Sequence, residues 1–306
     1  MSPRHLDPRG PQGRRCADRG SDRGRPDPRR SFRPRDHARH DGGGRGVRHV
    51  TDIAGRELRG LFVSPVAYGV LSLFAVLSGV FFIASTAFFA EWLMRLQSFQ
   101  AFDELARWNL NDQLIGQFFQ SMAMVLLFLL PGVTMGFFAA EKTQGTQELL
   151  FTSPLTMWDI VLGKFLAGAV FALLLVTIVG AYPALLFVYG DPEFGKTLAG
   201  LLGLVLVSWT YVAIGVFASS LTRSQVLAFL ITFVLLILLM VLPALAQIGG
   251  GGASGLGDLL RWLSADTHLA ELVKGLVDTA DLAYFVVMTG IFLVLTKASV
   301  ESVRWR

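Results

Sequence analysis

An all-α integral membrane protein is predicted by this sequence, with six transmembrane helices and a short helix between the second and third spans. The first reason is composition: 53% of the 306 residues are hydrophobic and only 16% are charged, which is too apolar for a water-soluble fold of this length. The second is that the apolar residues form long runs without charge, comparable to the about 20 helical residues that cross a bilayer core. The third is a compact polar segment, residues 141–154, between two of these runs.

Six charge-free runs are predicted to form the spans. Five of them are long enough to cross the bilayer without help: 60–90, 113–140, 165–190, 197–222 and 224–257. The sixth run, 282–296, has 15 uncharged residues, or about 22 Å at a helical rise of about 1.5 Å per residue. This span is expected either to extend through residues 279–281 or to direct the Lys297 amine outward to water.

Prolines and small residues inside these runs predict how the spans bend and pack. A proline removes a backbone donor and is expected to kink its helix. Pro131, Pro183 and Pro243 lie inside runs and are expected to have this effect. Small residues four positions apart let two helices approach closely. The pairs with this spacing are Gly136 with Ala140 and Gly168 with Ala172.

Basic residues favour an orientation with both termini in the cytoplasm. With the N-terminus inside, the inner segments beyond residue 50 hold eight Lys or Arg residues and the outer segments hold five. This places residues 141–154 on the cytoplasmic face. On the outer face, glycines 249–252 form a flexible joint leading into residues 259–277, which alternate apolar and charged side chains at helical spacing and are expected to lie along the interface.

Residues 1–50 are predicted to form a disordered, Arg-rich tail. They carry fourteen Arg and six Asp with no Lys or Glu, and Phe32 is their only aromatic residue, so they cannot bury enough apolar surface to order. Attraction to anionic lipid headgroups is compatible with this charge, whereas the interspersed Asp residues and missing aromatics argue against nucleic-acid binding. The composition of these residues, rich in Arg, Pro, Gly and Asp, also fits a mis-called translation start, with translation beginning near Val47 or Val50.

The phosphate-loop pattern G-x-x-x-x-G-K-[ST] occurs once, at residues 190–197. A working loop follows a buried strand and offers bare backbone donors to phosphate. Here a membrane helix precedes the loop, Asp191 and Glu193 would repel phosphate, and Pro192 has no donor. The pattern is therefore interpreted as a chance match.

No catalytic, cofactor or metal site is predicted in this chain. No pair of carboxylates, His–carboxylate pair or Ser–His–Asp set can be placed in one membrane cavity from the sequence. His268 is the only histidine beyond the tail, and it is interpreted as a solvated or interfacial side chain. The predicted span interiors also lack the ionisable group that ion-coupled carriers bury, so any uphill transport needs energy from another subunit.

Residues 141–154 carry the signals of a separately capped helix. Gly145 breaks continuity with the second span, Thr146 can cap a new helix, and Glu148 in its first turn complements the helix dipole. Ser153 before Pro154 disfavours helix and ends it. Thr156 and Asp159 then have capping-box spacing at the start of the third span. A solvated loop or a helix on the membrane surface is the alternative interpretation of such a short amphipathic segment.

Three blocks of residues resemble the membrane subunits of type-2 ABC exporters, and more narrowly the gliding-motility and nitrous-oxide-reductase accessory permeases. The blocks are Pro131-Gly132-Val133-Thr134-Met135; Glu141 with Gly145-Thr146-Gln147-Glu148-Leu149-Leu150 and Thr152-Ser153-Pro154; and Trp158-Asp159-Ile160-Val161-Leu162-Gly163-Lys164. Residues 57–59 with 62–68 resemble the N-terminal helix of that branch, and the likeness covers about residues 50–300. The sequence departs from the family in having Gly136 where relatives often place a basic residue after the Thr-Met pair, and in its tail.

This resemblance implies a six-span permease domain over residues 51–306 with a coupling helix that docks on a separate ABC ATPase subunit. The docking residues implied are Glu141, Gly145, Thr146, Glu148, Leu149, Thr152 and Pro154. ATP and Mg²⁺ would then bind to the ATPase subunit, so this chain would be no enzyme and would bind no cofactor. The expected partners also include a second copy of the permease or a related permease, and membrane lipid. The expected location is the bacterial inner membrane, and no nucleic-acid partner is expected.

Two other functions remain as alternatives at this point. A non-transporting membrane scaffold or assembly factor could use the same polar segment to recruit a different soluble protein. A membrane-embedded enzyme is disfavoured by the uncharged span interiors. The transported substrate does not follow from the sequence.

Overall fold

The computed structural model of the chain describes residues 42–98, 114–145, 156–189, 192–248 and 255–304. The elements within these ranges are all helices. In chain order they are α1 Gly42–Val63, α2 Pro65–Ser98, α3 Gly116–Thr134, α4 Gly136–Gln144, α5 Met157–Tyr189, α6 Phe194–Leu221, α7 Gln225–Ile248, α8 Gly255–Trp262, α9 Ala265–Val273 and α10 Thr279–Arg304.

Six stretches of helix in the described residues are long and apolar enough to cross a membrane, which confirms the predicted all-α membrane fold. They are Ala67–Arg95, Gly116–Gln144, Met157–Phe187, Phe194–Leu221, Gln225–Gln247 and Thr279–Ser302. The spans are thus α2, α3 with α4, α5, α6, α7 and α10. The sixth span is 24 residues long, because its helix includes Asp281 at one end and Lys297 near the other.

The start of the first span differs from the prediction. Residues 60–63 belong to α1, which ends at Val63, and α2 begins at Pro65. Proline has no N–H to continue the hydrogen-bonding of the preceding turn, and it disfavours helix at the residue before it, here Ser64. Helix α1 begins at Gly42, so residues 42–50, assigned to the disordered tail, are helical; residues 1–41 lie outside the described range.

The second span is broken after Pro131, and a serine from another span bonds to the backbone at the break. Helix α3 ends at Thr134 and α4 begins at Gly136. The Ser219 hydroxyl of α6 donates to the Met135 carbonyl at 2.9 Å and accepts from the N–H groups of Phe138 and Ala139 at 3.0 and 3.1 Å. Backbone groups freed inside a membrane must find such internal partners.

Helix α6 is the centre of the bundle and packs against α3, α5, α7, α9 and α10. Val212, Ala213 and Ile214 near its middle have no exposed surface. Gly215 lies so close to α3 that an added Cβ would overlap the Thr134 side chain. The small residues of α6 therefore set how closely the surrounding spans approach.

The segment between the fifth and sixth spans does not simply lie along the interface, as the sequence suggested. It forms α8 and α9, and the apolar face of α9 is buried against α3, α6 and α7. Glycines on α6 make room for it: a Cβ on Gly203 would lie 3.0 Å from Leu272 Cβ. The helical spacing that predicted an interfacial helix is equally the spacing of a helix packed on protein.

His268 of α9 is buried, so its interpretation as a solvated or interfacial side chain was wrong. Its Nδ1 lies 2.6 Å from Asp281 Oδ1 of α10, and its Nε2 lies 2.8 Å from the Trp262 carbonyl of α8. The imidazole also stacks on Tyr284, with ring centroids 4.1 Å apart. The chain thus contains a His–carboxylate pair that the sequence did not place, and it joins α8, α9 and α10.

Of the two small-residue pairs, only the one containing Gly168 lies at a close helix contact. A Cβ on Gly168 would lie 2.7 Å from Val212 Cγ1 and 2.9 Å from Phe137 Cε2, whereas a Cβ on Gly136 would meet nothing within 4 Å. Gly136 therefore does not mark a contact among the described residues.

Gly168→Ala is expected to lower the midpoint of thermal unfolding, since overpacking of this kind costs about 1–3 kcal/mol. Gly136→Ala is the matched control, because it adds the same methyl group in open space and improves helix propensity. Both variants would be compared with the parent in one detergent. Equal midpoints for the two variants would contradict the close contact.

Candidate functional site

Helix α1 lies at one end of the bundle, together with the end of α4 and the start of α5, which flank the polar segment 141–154. We call this the α1 end, and we call residues 141–145 with 156–164 the loop base. The last turn of α4 and the first turns of α5 form the loop base, and residues 146–155 between them lie outside the described range. The loop base is the part of this site that the structure describes.

Gly145 ends α4 in the way the sequence predicted. Its backbone has φ 70° and ψ 7°, which is the left-handed conformation, and its N–H donates to the Glu141 carbonyl. Glycine reaches this conformation without the Cβ clash that other residues meet, and it commonly ends helices for this reason. The second span therefore stops at Gln144.

Thr156 and Asp159 form the predicted capping box at the start of α5. The Thr156 hydroxyl accepts from the Asp159 N–H at 3.2 Å, and Asp159 Oδ2 accepts from the Thr156 N–H at 3.1 Å. The same hydroxyl donates to Asp159 Oδ2 at 2.7 Å. Two backbone donors of the helix end are satisfied by this reciprocal pairing. The third span begins with a rigid first turn.

Lys164 is the centre of an ion cluster in the loop base. Its Nζ lies 3.0 Å from Glu57 Oε1 of α1 and 2.7 Å from Glu141 Oε1 of α4, and 1% of its side chain is exposed. The amine also lies 5.2 Å from the centroid of the Phe138 ring, where a cation is attracted to the ring face. Charge-assisted hydrogen bonds of this kind are about twice as strong as neutral ones. One ammonium group therefore joins α1, α4 and α5.

Helix α1 packs closely on α5 at Gly163, the residue before this lysine. A Cβ at Gly163 would lie 2.6 Å from Ile53 Cγ2 of α1, so a side chain there would push the helices apart. The absence of one lets the Glu57 carboxylate reach the Lys164 amine. Of the motif residues, Asp159 thus caps α5, Gly163 allows close packing on α1, and Lys164 pairs with the two carboxylates.

The last turn of α4 is also tied to the link between the fourth and fifth spans. Lys142 Nζ donates to the Ser220 carbonyl, and the Thr143 hydroxyl donates to the Arg223 carbonyl. Ser299 of α10 donates to the same Ser220 carbonyl at 3.2 Å. The last turn of α4 is therefore joined through Lys164 to α1 and α5, and through its own contacts to the α6–α7 link, whose Ser220 carbonyl also bonds to α10.

The docking residues implied by the family resemblance lie partly inside and partly outside the described range. Glu141 and Gly145 lie in the loop base. Thr146, Glu148, Leu149, Thr152 and Pro154 lie outside the described residues. The Glu141 side chain is 21% exposed and pairs with Lys164, so it contributes to holding the loop base.

Lys164 and Glu57 were missed as site residues by the sequence interpretation. The charge-free run that predicts the third span begins at residue 165 and so excludes Lys164, although α5 already begins at Met157. A signal was present: a lone basic residue within an otherwise apolar helix needs a carboxylate partner, and acids 57 and 141 flank charge-free runs. Among the described residues, no group of His, Cys, Asp and Glu side chains could hold a metal ion.

The described helices define a multi-pass membrane protein, and the two helix ends that flank the polar segment lie at one end of its bundle. The chain belongs to the ABC-2 family of transporter proteins, whose family model matches residues 51–301. It is similar to the "Probable multidrug ABC transporter permease YbhR" of Escherichia coli strains K12 and O157:H7, with 29% identity over 142 residues. The match covers 44% of this chain and 36% of each relative.

Proposed function

We propose that this chain is the permease subunit of an ATP-driven ABC exporter and that it couples to a separate ATPase subunit through residues 141–154. The observation that supports this most is the loop base. A segment that transmits force needs a stiff attachment to the spans, and Lys164 joins three helices directly at its root. Family membership and the likeness to a permease support the same function.

The proposed mechanism is a rigid-body movement of the bundle driven by the partner. ATP binding and hydrolysis on the partner would displace the polar segment, and the loop base would pass the displacement to α1 and α5. ATP and Mg²⁺ would be held by the partner and not by this chain. Under this proposal the α1 end faces the cytoplasm of a bacterial inner membrane, with both termini on that side, in agreement with the distribution of basic residues.

A second copy of the chain, or a related permease, would complete the proposed transporter, with membrane lipid around it. Within the family, the motif residues between 131 and 164 favour the gliding-motility and nitrous-oxide-reductase accessory branch. That narrower assignment is part of the proposal, and so is export as the direction of transport.

Glu148→Lys is expected to abolish most coupling to the ATPase subunit. Reversing a charge at a docking surface costs about 2–5 kcal/mol, which corresponds to more than tenfold in affinity. The measurement is ATP hydrolysis by the complex purified through a tag on this chain, together with the amount of nucleotide-binding subunit retained.

Glu271→Lys is the matched control, because Glu271 forms an exposed pair with Lys274 at the opposite end of the bundle. It makes the same charge change and is expected to leave hydrolysis and retention unchanged. A stable complex that contains no ATPase would contradict the proposal and favour the membrane scaffold. ATP hydrolysis by this chain purified alone would also contradict it.

A further inference from the structure

The buried imidazole of His268 has an oxygen atom beside each of its two ring nitrogens. Its Nδ1 lies 2.6 Å from Asp281 Oδ1 of α10, and its Nε2 lies 2.8 Å from the Trp262 carbonyl of α8. The side chains of His268 and Asp281 are each 10% exposed, so water contributes little to either group. We call the imidazole, the carboxylate and the Trp262 carbonyl the histidine clasp. The permease function proposed above gives it no role.

The two contacts determine how many protons the histidine clasp holds. A carbonyl oxygen can only accept a hydrogen bond, so the Nε2 atom beside Trp262 must carry a proton and donate it. A carboxylate also only accepts, so the bond to Asp281 needs a second proton, either on Nδ1 or on the carboxyl group. A neutral imidazole beside an ionised carboxylate therefore has one proton too few to make both bonds.

Two helix ends favour placing the second proton on the imidazole. The Trp262 carbonyl belongs to the last turn of α8, where carbonyl groups lack partners within the helix and the negative end of the helix dipole favours a cation. Asp281 lies in the first turn of α10, where the dipole favours a negative charge. Imidazole is also a stronger base than a carboxylate. An imidazolium paired with a carboxylate therefore suits both contacts.

We propose that His268 is held as an imidazolium and that the histidine clasp is a pH-sensitive link between α8, α9 and α10. Removal of the shared proton leaves Nδ1 and Asp281 Oδ1 as two acceptors at hydrogen-bond distance, beside a negative charge that has lost its partner. One bond of the clasp is therefore lost as the pH rises and is restored as the pH falls. The clasp does not depend on the permease function, whereas a response to pH outside the cell rests on the proposed orientation.

Other ionisable side chains surround the clasp on the elements that pack against α9, although α3 and α7 contribute none. They are Asp258 and Arg261 of α8, Asp266 and Glu271 of α9, Lys274 after α9, Asp278 before α10, Tyr284 of α10, and Lys196 and Tyr211 of α6. Among the described residues, His268 and Asp281 lie within ion-pair distance of each other and of no other charged group. The Tyr284 ring stacks on the imidazole, but its hydroxyl donates to the Leu263 carbonyl. The proton of the clasp is therefore shared by His268 and Asp281.

The direct test is nitrogen magnetic resonance of the full-length protein in lipid nanodiscs, with isotope-labelled histidine. The His268 signals are those that are absent from His268→Phe. An imidazolium has two protonated ring nitrogens with similar shifts, whereas a neutral imidazole has one protonated and one bare nitrogen with widely separated shifts. We expect the imidazolium in the parent at about pH 7.5, where a free histidine is mostly neutral.

Asp281→Asn separates the extra proton from ordinary hydrogen bonding of the same pair. The asparagine amide can donate to a bare Nδ1, so both contacts can form with a neutral imidazole. We therefore expect the neutral form, with its proton on Nε2, in this variant at about pH 7.5. Glu271→Gln is the matched control, because it removes one carboxylate charge at an exposed position of α9, and it is expected to keep the imidazolium.

A second measurement follows the helices and stays decisive if Asp281→Asn does not fold. Amide hydrogen exchange in α9, corrected for the intrinsic effect of pH, is expected to become about tenfold faster between about pH 7 and about pH 9 in the parent and in Glu271→Gln. Folded Asp281→Asn is expected to lack this change. A neutral His268 in the folded parent at about pH 7.5 would overturn the proposal, and so would an imidazolium in Asp281→Asn or pH-independent exchange in the parent. These measurements do not use the ATPase subunit, so their failure would leave the permease function standing.

Discussion

Lys164→Met is expected to destabilise the protein by about 3–5 kcal/mol, the usual cost of removing one partner from a buried ion cluster. The methionine fills a similar volume, but it leaves the Glu57 and Glu141 carboxylates close together without the ammonium that separates them. Both carboxylates are at most about a fifth exposed, so water replaces the lost partner poorly. The measurement is the thermal unfolding midpoint in detergent, with the monodisperse fraction recorded beside it.

Two further variants separate charge from packing at this cluster. Adding Glu57→Gln and Glu141→Gln to Lys164→Met removes the uncompensated charges and is expected to recover much of the lost stability. Lys297→Met is the control, because Lys297 forms a more exposed pair with Glu301 at 3.4 Å, and such pairs contribute about 0–1 kcal/mol. If Lys164→Met and Lys297→Met lowered the midpoint equally, the cluster would not be the anchor of the loop base.

The six spans could be predicted from the sequence because the cost of burying charge in lipid acts on each residue separately. Charge-free runs of sufficient length therefore mark spans without knowledge of any contact. The end of α4 at Gly145 and the capping box at Thr156 and Asp159 were predictable for a similar reason, since both depend on neighbours within a few positions. The start of the first span was misplaced because residues 60–63 are as apolar as the span itself.

The ion cluster and the buried histidine could not be predicted in the same way. Lys164 and Glu57 are 107 positions apart, and His268 and Asp281 are joined only when α9 packs against the start of α10. A hydropathy pattern counts such residues as loop or interface charges. Their burial depends on glycines such as Gly163 and Gly203, whose role appears only when the neighbouring helix is in place.

His268→Phe is expected to destabilise the end of the bundle formed by α8, α9 and the start of α10, by about 1–3 kcal/mol for each buried group that loses its hydrogen-bond partner. The phenyl ring preserves the stacking on Tyr284, so the change isolates the two hydrogen bonds of the imidazole. Without them the Asp281 carboxylate, 7% exposed, and the Trp262 carbonyl lose their partner. The measurement is amide hydrogen exchange across α8 and α9, with the thermal midpoint as the global value.

Faster exchange is expected to be concentrated in α8 and α9, because the 2.7 Å hydrogen bond from the Tyr284 hydroxyl to the Leu263 carbonyl is then the remaining side-chain hydrogen bond to α10 among the described residues of this region. Tyr284→Phe removes that remaining bond, and combined with His268→Phe it should increase exchange beyond either change alone. Glu271→Gln alters the same helix at an exposed position and should leave exchange unchanged. Uniform protection of α8 and α9 in His268→Phe would mean that the apolar face of α9, and not the histidine, holds this end together.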